Sequence, residues 1–195
     1  MSNFSLKVFK YRSYSPLPFL LLMVIFQQPT ILTMSLGFGL ILLGEFFRLW
    51  GVSYAGSETR TTGGVGGTYL VISGPYAYVR NPLYLGNMLL YCGVGVMSNA
   101  LFPYLVVVAF AFFYWQYWVI INTEEEYLVK AFSDKYNDYR KSVPRLLPSF
   151  FPYQNKDVQQ PSYNLKAGLK SESRTLQAIS SVIIIIIIYY VVKAI

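Results

Sequence analysis

This 195-residue sequence predicts an all-α integral-membrane bundle of about five spans with a cytoplasmic amphipathic helix. Hydrophobic residues make up 54% of the chain and aromatic residues 18%, and mean hydropathy is +0.41. The apolar residues fall in blocks long enough to cross a hydrocarbon core of about 30 Å. Between the blocks the charge is one-sided.

The first block centres on Leu17–Phe26 and reaches span length, about 13–28, only if its flanks sit among headgroups. No small-residue cleavage site follows it, so it reads as a retained span and not as a signal peptide. Gln27-Gln28-Pro29-Thr30 then interrupts it, since proline disfavours helix in the residue before it. A second block runs over 31–50, and the pair reads as a hairpin turning at Pro29 or as one long kinked helix. Residues 82–97 and 101–121 form a second hairpin around Ser98, Asn99 and Pro103. These spans and a cytoplasmic helix at 123–143 make a core of residues 1–148, followed by a polar linker at 149–174. A C-terminal anchor at 175–195 contains six consecutive isoleucines.

With a cytoplasmic N-terminus, Lys7, Lys10, Arg12, Arg48, Arg60, Arg80 and every basic residue from Lys130 to Arg174 share one side. The turns near 27–30 and 98–103 carry no charge, the asymmetry expected of cytoplasmic cations. The expected location is a prokaryotic inner membrane with the functional face cytoplasmic. The net charge of +7 is explained by anionic lipid headgroups as partners, and nucleic acid is not required.

There is no histidine, which excludes His-ligated metals and Ser-His or Cys-His nucleophile pairs. Cys92 is the single cysteine and reads as a small buried hydrophobe, so no metal site is expected. Chemistry then falls to carboxylates, arginine, tyrosine and a bound cofactor.

Two polar segments carry such groups. In Ser73–Gly86 a polar turn runs into a hydrophobic helix, with Asn81 as N-cap and Pro82 as first helical residue. Free amides and Arg80 make this end suited to a carboxylate or phosphate, though the same residues also suit a plain capped helix entrance with an interfacial arginine. In the second segment Thr123 and Glu126 match a capping box, and Leu128, Phe132, Tyr136, Tyr139 and Val143 recur at helical spacing up to Pro144. The Gly-rich stretch 51–68 lacks both the Gly-Lys-Ser/Thr ending of a phosphate loop and a surrounding βαβ unit, and reads as a connector. Residues 68–73 read as a short extended stretch.

Gly74-Pro75-Tyr76, Val79-Arg80-Asn81-Pro82-Leu83-Tyr84-Leu85-Gly86, and Glu124-Glu125-Glu126 with Leu128, Phe132, Tyr136, Tyr139 and Val143-Pro144-Arg145 together resemble the isoprenylcysteine carboxyl methyltransferase family. Its relatives include the phospholipid N-methyltransferases. The likeness covers roughly 40–148, including Arg48-Leu49-Trp50.

The resemblance implies S-adenosylmethionine as methyl donor in a cytosol-facing pocket, and a lipophilic small molecule or lipidated acceptor. Carried over position by position, Tyr76, Arg80, Asn81 and Tyr84 would meet the cofactor's amino-acid end. Glu124, Glu125 and Arg145 become the candidate catalytic residues, and Tyr136 and Tyr139 would line the rest of the cofactor pocket. Asn81 stands where the family has histidine, which retains a hydrogen-bond donor but removes proton transfer. Ile121 and Asn122 stand where prenylcysteine enzymes carry arginine. A catalytically silent relative and an NADPH-dependent lipid or sterol reductase are the alternatives, and the oligomeric state stays open.

Overall fold

The computed structural model describes residues 3–56 and 70–194. Among them the regular structure is helical throughout: α1 (Asn3–Tyr11), α2 (Pro16–Ile25), α3 (Ile31–Ala55), a 3-10 turn (Gly74–Ala77), α4 (Pro82–Ser98), α5 (Tyr104–Ser142) and α6 (Leu165–Ala194). Three of these helices, α3, α5 and α6, are long and apolar enough to cross a membrane. At 1.5 Å per residue, α4 with 17 residues spans about 25 Å and α2 with 10 only about 15 Å. The expected first span at 13–28 is therefore shorter than read. Pro16 and Pro18 start it late, and the chain leaves the helix at Phe26 before the Gln-Gln-Pro break.

Apolar residues lie outward as well as inward. On α3, Leu32, Leu36, Leu42 and Leu43 are exposed while Gly37, Ile41 and Gly44 are buried. Such an arrangement suits lipid as solvent, and this is an integral membrane protein. The α3–α4 pair is antiparallel and joined through glycines. A Cβ on Gly37 would come within 2.4 Å of the Met97 backbone nitrogen, and one on Gly93 within 2.7 Å of the Ile41 side chain and 2.9 Å of the Gly37 carbonyl. Gly37→Ala and Gly93→Ala are each expected to destabilise by about 1–3 kcal/mol through overpacking. Gly39→Ala, whose Cβ meets nothing within 4 Å, should leave the thermal midpoint in detergent unchanged.

The turns after α2 and α4 meet at one end of the bundle. The Gln28 N–H donates to the Ser98 carbonyl at 2.8 Å, and Asn99 Nδ2 donates to the Gln28 carbonyl at 3.0 Å. Thr30 caps α3 through a reciprocal box with Thr33.

Several local expectations change. The α5 helix runs straight through 121–125, so no helix starts at Thr123. Its hydroxyl donates to the Val119 carbonyl at 3.1 Å because the nearby amides are already used by the continuing helix. The break falls at Ser133, where φ is +47°. The connector expected from Gly51 begins later, since α3 extends to Ala55, and its glycine-rich centre at 63–67 and the residues 68 and 69 lie outside the described residues. Cys92 is free and only half-buried.

The expected linker at 149–174 is helical from Leu165, with Asn164 capping α6 through Oδ1 to the Ala167 N–H at 2.9 Å. Before that it is tied down: the Ser149 N–H reaches the Tyr78 carbonyl, the Tyr153 N–H reaches the Ala77 carbonyl, and Gln160 exchanges hydrogen bonds with Leu70 and Ile72. Consequently α6 packs along α3, with Gly168 set against Ser53.

Candidate active site

Gly74 opens the site because its φ of +61° and the Tyr54 ring, 2.3 Å from where a Cβ would stand, exclude any side chain. The 3-10 turn that follows directs Tyr76 into a cavity of about 790 Å³ bounded by α2, α3, α4, α5 and α6. Its carbonyl accepts the Tyr139 hydroxyl at 2.7 Å, joining the turn to the far end of α5. Burial, and then the Glu124 charge, hold the Tyr76 phenol above its usual range, so it stays a neutral donor near pH 7.

At the entrance to α4, Arg80 does not stand free beside the helix amides. Its Nη1 donates to the Arg140 carbonyl at 3.0 Å, and its Nη2 lies 3.3 Å from Glu125 Oε1. Its Nε is buried with no hydrogen-bond partner among the described residues. The other Glu125 oxygen receives Arg145 Nη2 at 2.6 Å, while Arg145 Nη1 donates to Asn122 at 2.9 Å. One buried carboxylate thus sits between two guanidinium groups. The expected side-chain cap from Asn81 onto α4 does not form; its Nδ2 donates to the Arg145 carbonyl at 3.1 Å, so the long-range partner replaces the local one. Tyr84 donates to Glu124 at 2.8 Å, and its ring lies 4.8 Å from that of Tyr117.

Tyr76, Arg80, Asn81, Tyr84, Glu124, Glu125, Tyr136 and Tyr139 all line this single cavity, and Arg145 stands behind it, holding Glu125 and Asn81. Residues far apart in sequence converge because Pro144 brings the chain back, its carbonyl accepting the Arg80 N–H at 2.9 Å.

A second polar group lines the same cavity. Arg48 on α3 pairs with Glu172 on α6 at 2.6 Å, donates to Thr175 at 3.2 Å and bonds Asn87 on α4. Glu172 is 1% exposed, and Glu45, one turn before Arg48, has both carboxylate oxygens buried without a hydrogen bond. None of these was a site candidate from sequence. The available signal was an ionisable side chain inside a predicted span, which Arg48 and Glu45 both provide. Glu172 gave no such signal within a stretch read as linker.

The model of the phospholipid methyltransferase family matches residues 32–135, just over half of the chain. The chain belongs to this family. Among curated relatives it is 33% identical, over 67% of its length, to the cobalt-zinc-cadmium resistance protein CzcN of Cupriavidus metallidurans, covering 55% of that protein. It is 38% identical over 40% of its length to the protein-S-isoprenylcysteine O-methyltransferase of Schizosaccharomyces pombe, covering 33% of it. With the methanethiol S-methyltransferase of Pseudomonas deceptionensis it shares 34% identity over 58% of its length, covering 43% of that protein. The chain thus spans about half or less of the length of these relatives. The family match ends at Lys135, so the phospholipid methyltransferase segment includes Arg80, Glu124 and Glu125 but not Tyr136, Tyr139, Arg145 or the α6 wall.

Proposed function

We propose that this chain transfers a methyl group from S-adenosylmethionine to a lipophilic acceptor, at the cytoplasmic face of a prokaryotic inner membrane. The observation that carries this reading is convergence: eight residues from two separate motif segments line one cavity, which also has an apolar stretch of wall that includes Leu20, Leu90, Val94, Ile179 and Val182. A volume of about 790 Å³ is within the usual range for a small-molecule site.

The residues present fit the cofactor. Arg80 offers a buried Nε donor without a partner among the described residues, suited to a carboxylate. Glu124 accepts the Tyr84 hydroxyl, and burial pushes its carboxyl up to about 7, so a bound cation would draw it into the ionised form; the rings of Tyr76, Tyr136 and Tyr139 add aromatic faces. When bound, S-adenosylmethionine supplies an electrophilic methyl group on a sulfonium. Glu125 and Arg145 fix the Arg80 guanidinium, and Tyr139 fixes the Tyr76 turn. The apolar wall excludes water and holds an acceptor entering from the bilayer. Positioning is the main contribution expected of such a site, since methyl transfer from a sulfonium needs no acid of special pKa. A prenylcysteine-like carboxylate, a lipid or another small hydrophobic molecule fits this description. Membrane lipids are the proposed surroundings.

The decisive experiment is label transfer from methyl-labelled S-adenosylmethionine into a total lipid extract of the source organism. Transfer by the parent protein supports the proposal, and silence together with no binding of the cofactor overturns it. Arg80→Ala should weaken cofactor binding by about 1.5–3 kcal/mol, the range for a charged hydrogen bond, with Arg80→Lys recovering part of it. Calorimetry on the three proteins reads this directly.

The positive-inside asymmetry and the meeting of the two uncharged turns support the orientation. In a Cys92→Ala background, Ser142→Cys is expected to label from the cytoplasm and Asn99→Cys from the opposite side. Ser57, another informative cytoplasmic position by sequence, lies outside the described residues.

A further inference from the structure

After α5 the chain presents three large apolar side chains outward in quick succession. Leu147 is 78% exposed, Phe150 95% and Phe151 84%. They cannot turn inward, because the segment is pinned along its length. The Pro144 carbonyl holds the Arg80 N–H at 2.9 Å, and the Ser149 and Tyr153 N–H groups each donate at 2.8 Å to the 3-10 turn and its exit. Prolines at 144, 148 and 152 stiffen it further. Leu146 alone packs against the main core.

The depth of this segment can be read from its neighbours. At one end, the Arg145 guanidinium lies 4.5 Å from the Trp118 ring and bonds Asn122, where the apolar part of α5 ends. At the other end, Ser149 bonds Tyr78, whose ring is 6.0 Å from Trp50 in the last turns of α3. Trp115 and Trp118 are themselves exposed on the outside of the bundle, as tryptophans at a membrane–water boundary are. The strap therefore runs between two tryptophans that mark the same boundary. Exposed cations flank it at Arg140, Lys141 and Lys156, the complement of anionic headgroups.

We propose that residues 146–152 are a membrane-inserted strap, with Leu147, Phe150 and Phe151 seated at the acyl–headgroup boundary of the leaflet nearest the site. Its occupant is lipid. Because the strap continues directly from Pro144 and Arg145, which contact Arg80, Asn81 and Glu125, its seating sets the height of the cavity mouth above the bilayer. This inference does not rest on the methyl-transfer reading.

The test places a nitrobenzoxadiazole probe on Phe151→Cys, and separately on Leu147→Cys, in the full-length Cys92→Ala protein in nanodiscs of phosphatidylcholine and phosphatidylglycerol. Both positions are exposed, so the variants should keep the parent's thermal midpoint. Each probe is expected to lose about half its emission to lipids carrying a doxyl quencher high on the acyl chain, and to be shielded from aqueous iodide. A probe at Lys156→Cys should behave the opposite way. Quenching of both strap probes by iodide would overturn the proposal by placing the strap in water. Shielding from both quenchers would overturn it too, by placing protein over the strap, whether a second copy or another partner.

Discussion

Glu125→Ala is expected to do more damage than any other single change at the cavity mouth. The Glu125 side chain is 10% exposed and stands between Arg80, 12% exposed, and Arg145, 23% exposed. Removing it leaves two guanidinium groups facing each other in a site that water reaches poorly. Breaking a buried pair in this way costs about 3–5 kcal/mol, because the desolvation of the remaining charge is no longer offset. The loss should appear as a lowered thermal midpoint in detergent together with loss of binding of the proposed cofactor, S-adenosylmethionine. Glu125→Gln keeps the shape and should lose most of the same stability. Asp138→Ala, which breaks the exposed pair with Lys141, should change neither readout measurably. A Glu125→Ala protein as stable as the parent would show that the two arginines are not held by this carboxylate.

Glu172→Ala is expected to have an effect of comparable size through a different part of the molecule. It strips Arg48 of its only ion-pair partner among the described residues, leaving Asn87 and Thr175 to satisfy a guanidinium within the α3 span. The expected cost is again about 3–5 kcal/mol. Replacing both partners with apolar residues of similar size, Arg48→Met with Glu172→Leu, should recover much of that stability, since neither charge of the pair is then left without its partner. Thermal unfolding of the parent, the two single variants and the double variant forms a mutant cycle that isolates the pair. A double variant no more stable than Glu172→Ala would remove the ion pair as the cause.

Much of this architecture was legible in the sequence. The apolar run from Ile31 and the Asn81-Pro82 start of α4 locate α3 and α4 to within a few residues, and the two motif segments contain eight of the residues that line the cavity. What was lost has a common physical origin. Thr123 with Glu126 satisfies a capping pattern locally, but the same residues sit comfortably inside a helix when the preceding turn continues into them. The interruption at Ser133 has no glycine or proline to announce it. Polar residues 149–164 look like linker by composition, yet their backbone groups find fixed partners at Tyr78, Ala77 and Ser53, more than 70 positions earlier in the chain. Asn81 and Arg48 likewise take partners from distant segments, which local spacing does not encode.

The separation of Arg48 from Glu172 also has a consequence for how the protein is made. The two are 124 positions apart. At roughly 5–20 residues per second, α3 is delivered to the membrane on the order of 6–25 s before its counter-charge leaves the ribosome. During that interval Arg48 lacks Glu172, with Glu45 one turn earlier on the same helix and then Asn87 on α4 the first polar groups within reach. The cavity meanwhile stands open on the side where α6 will lie, and synthesis of α6 closes the wall and neutralises the charge together. Translation arrested before Glu172 would leave both defects exposed on the same helix, giving membrane quality control a local mark of incompleteness.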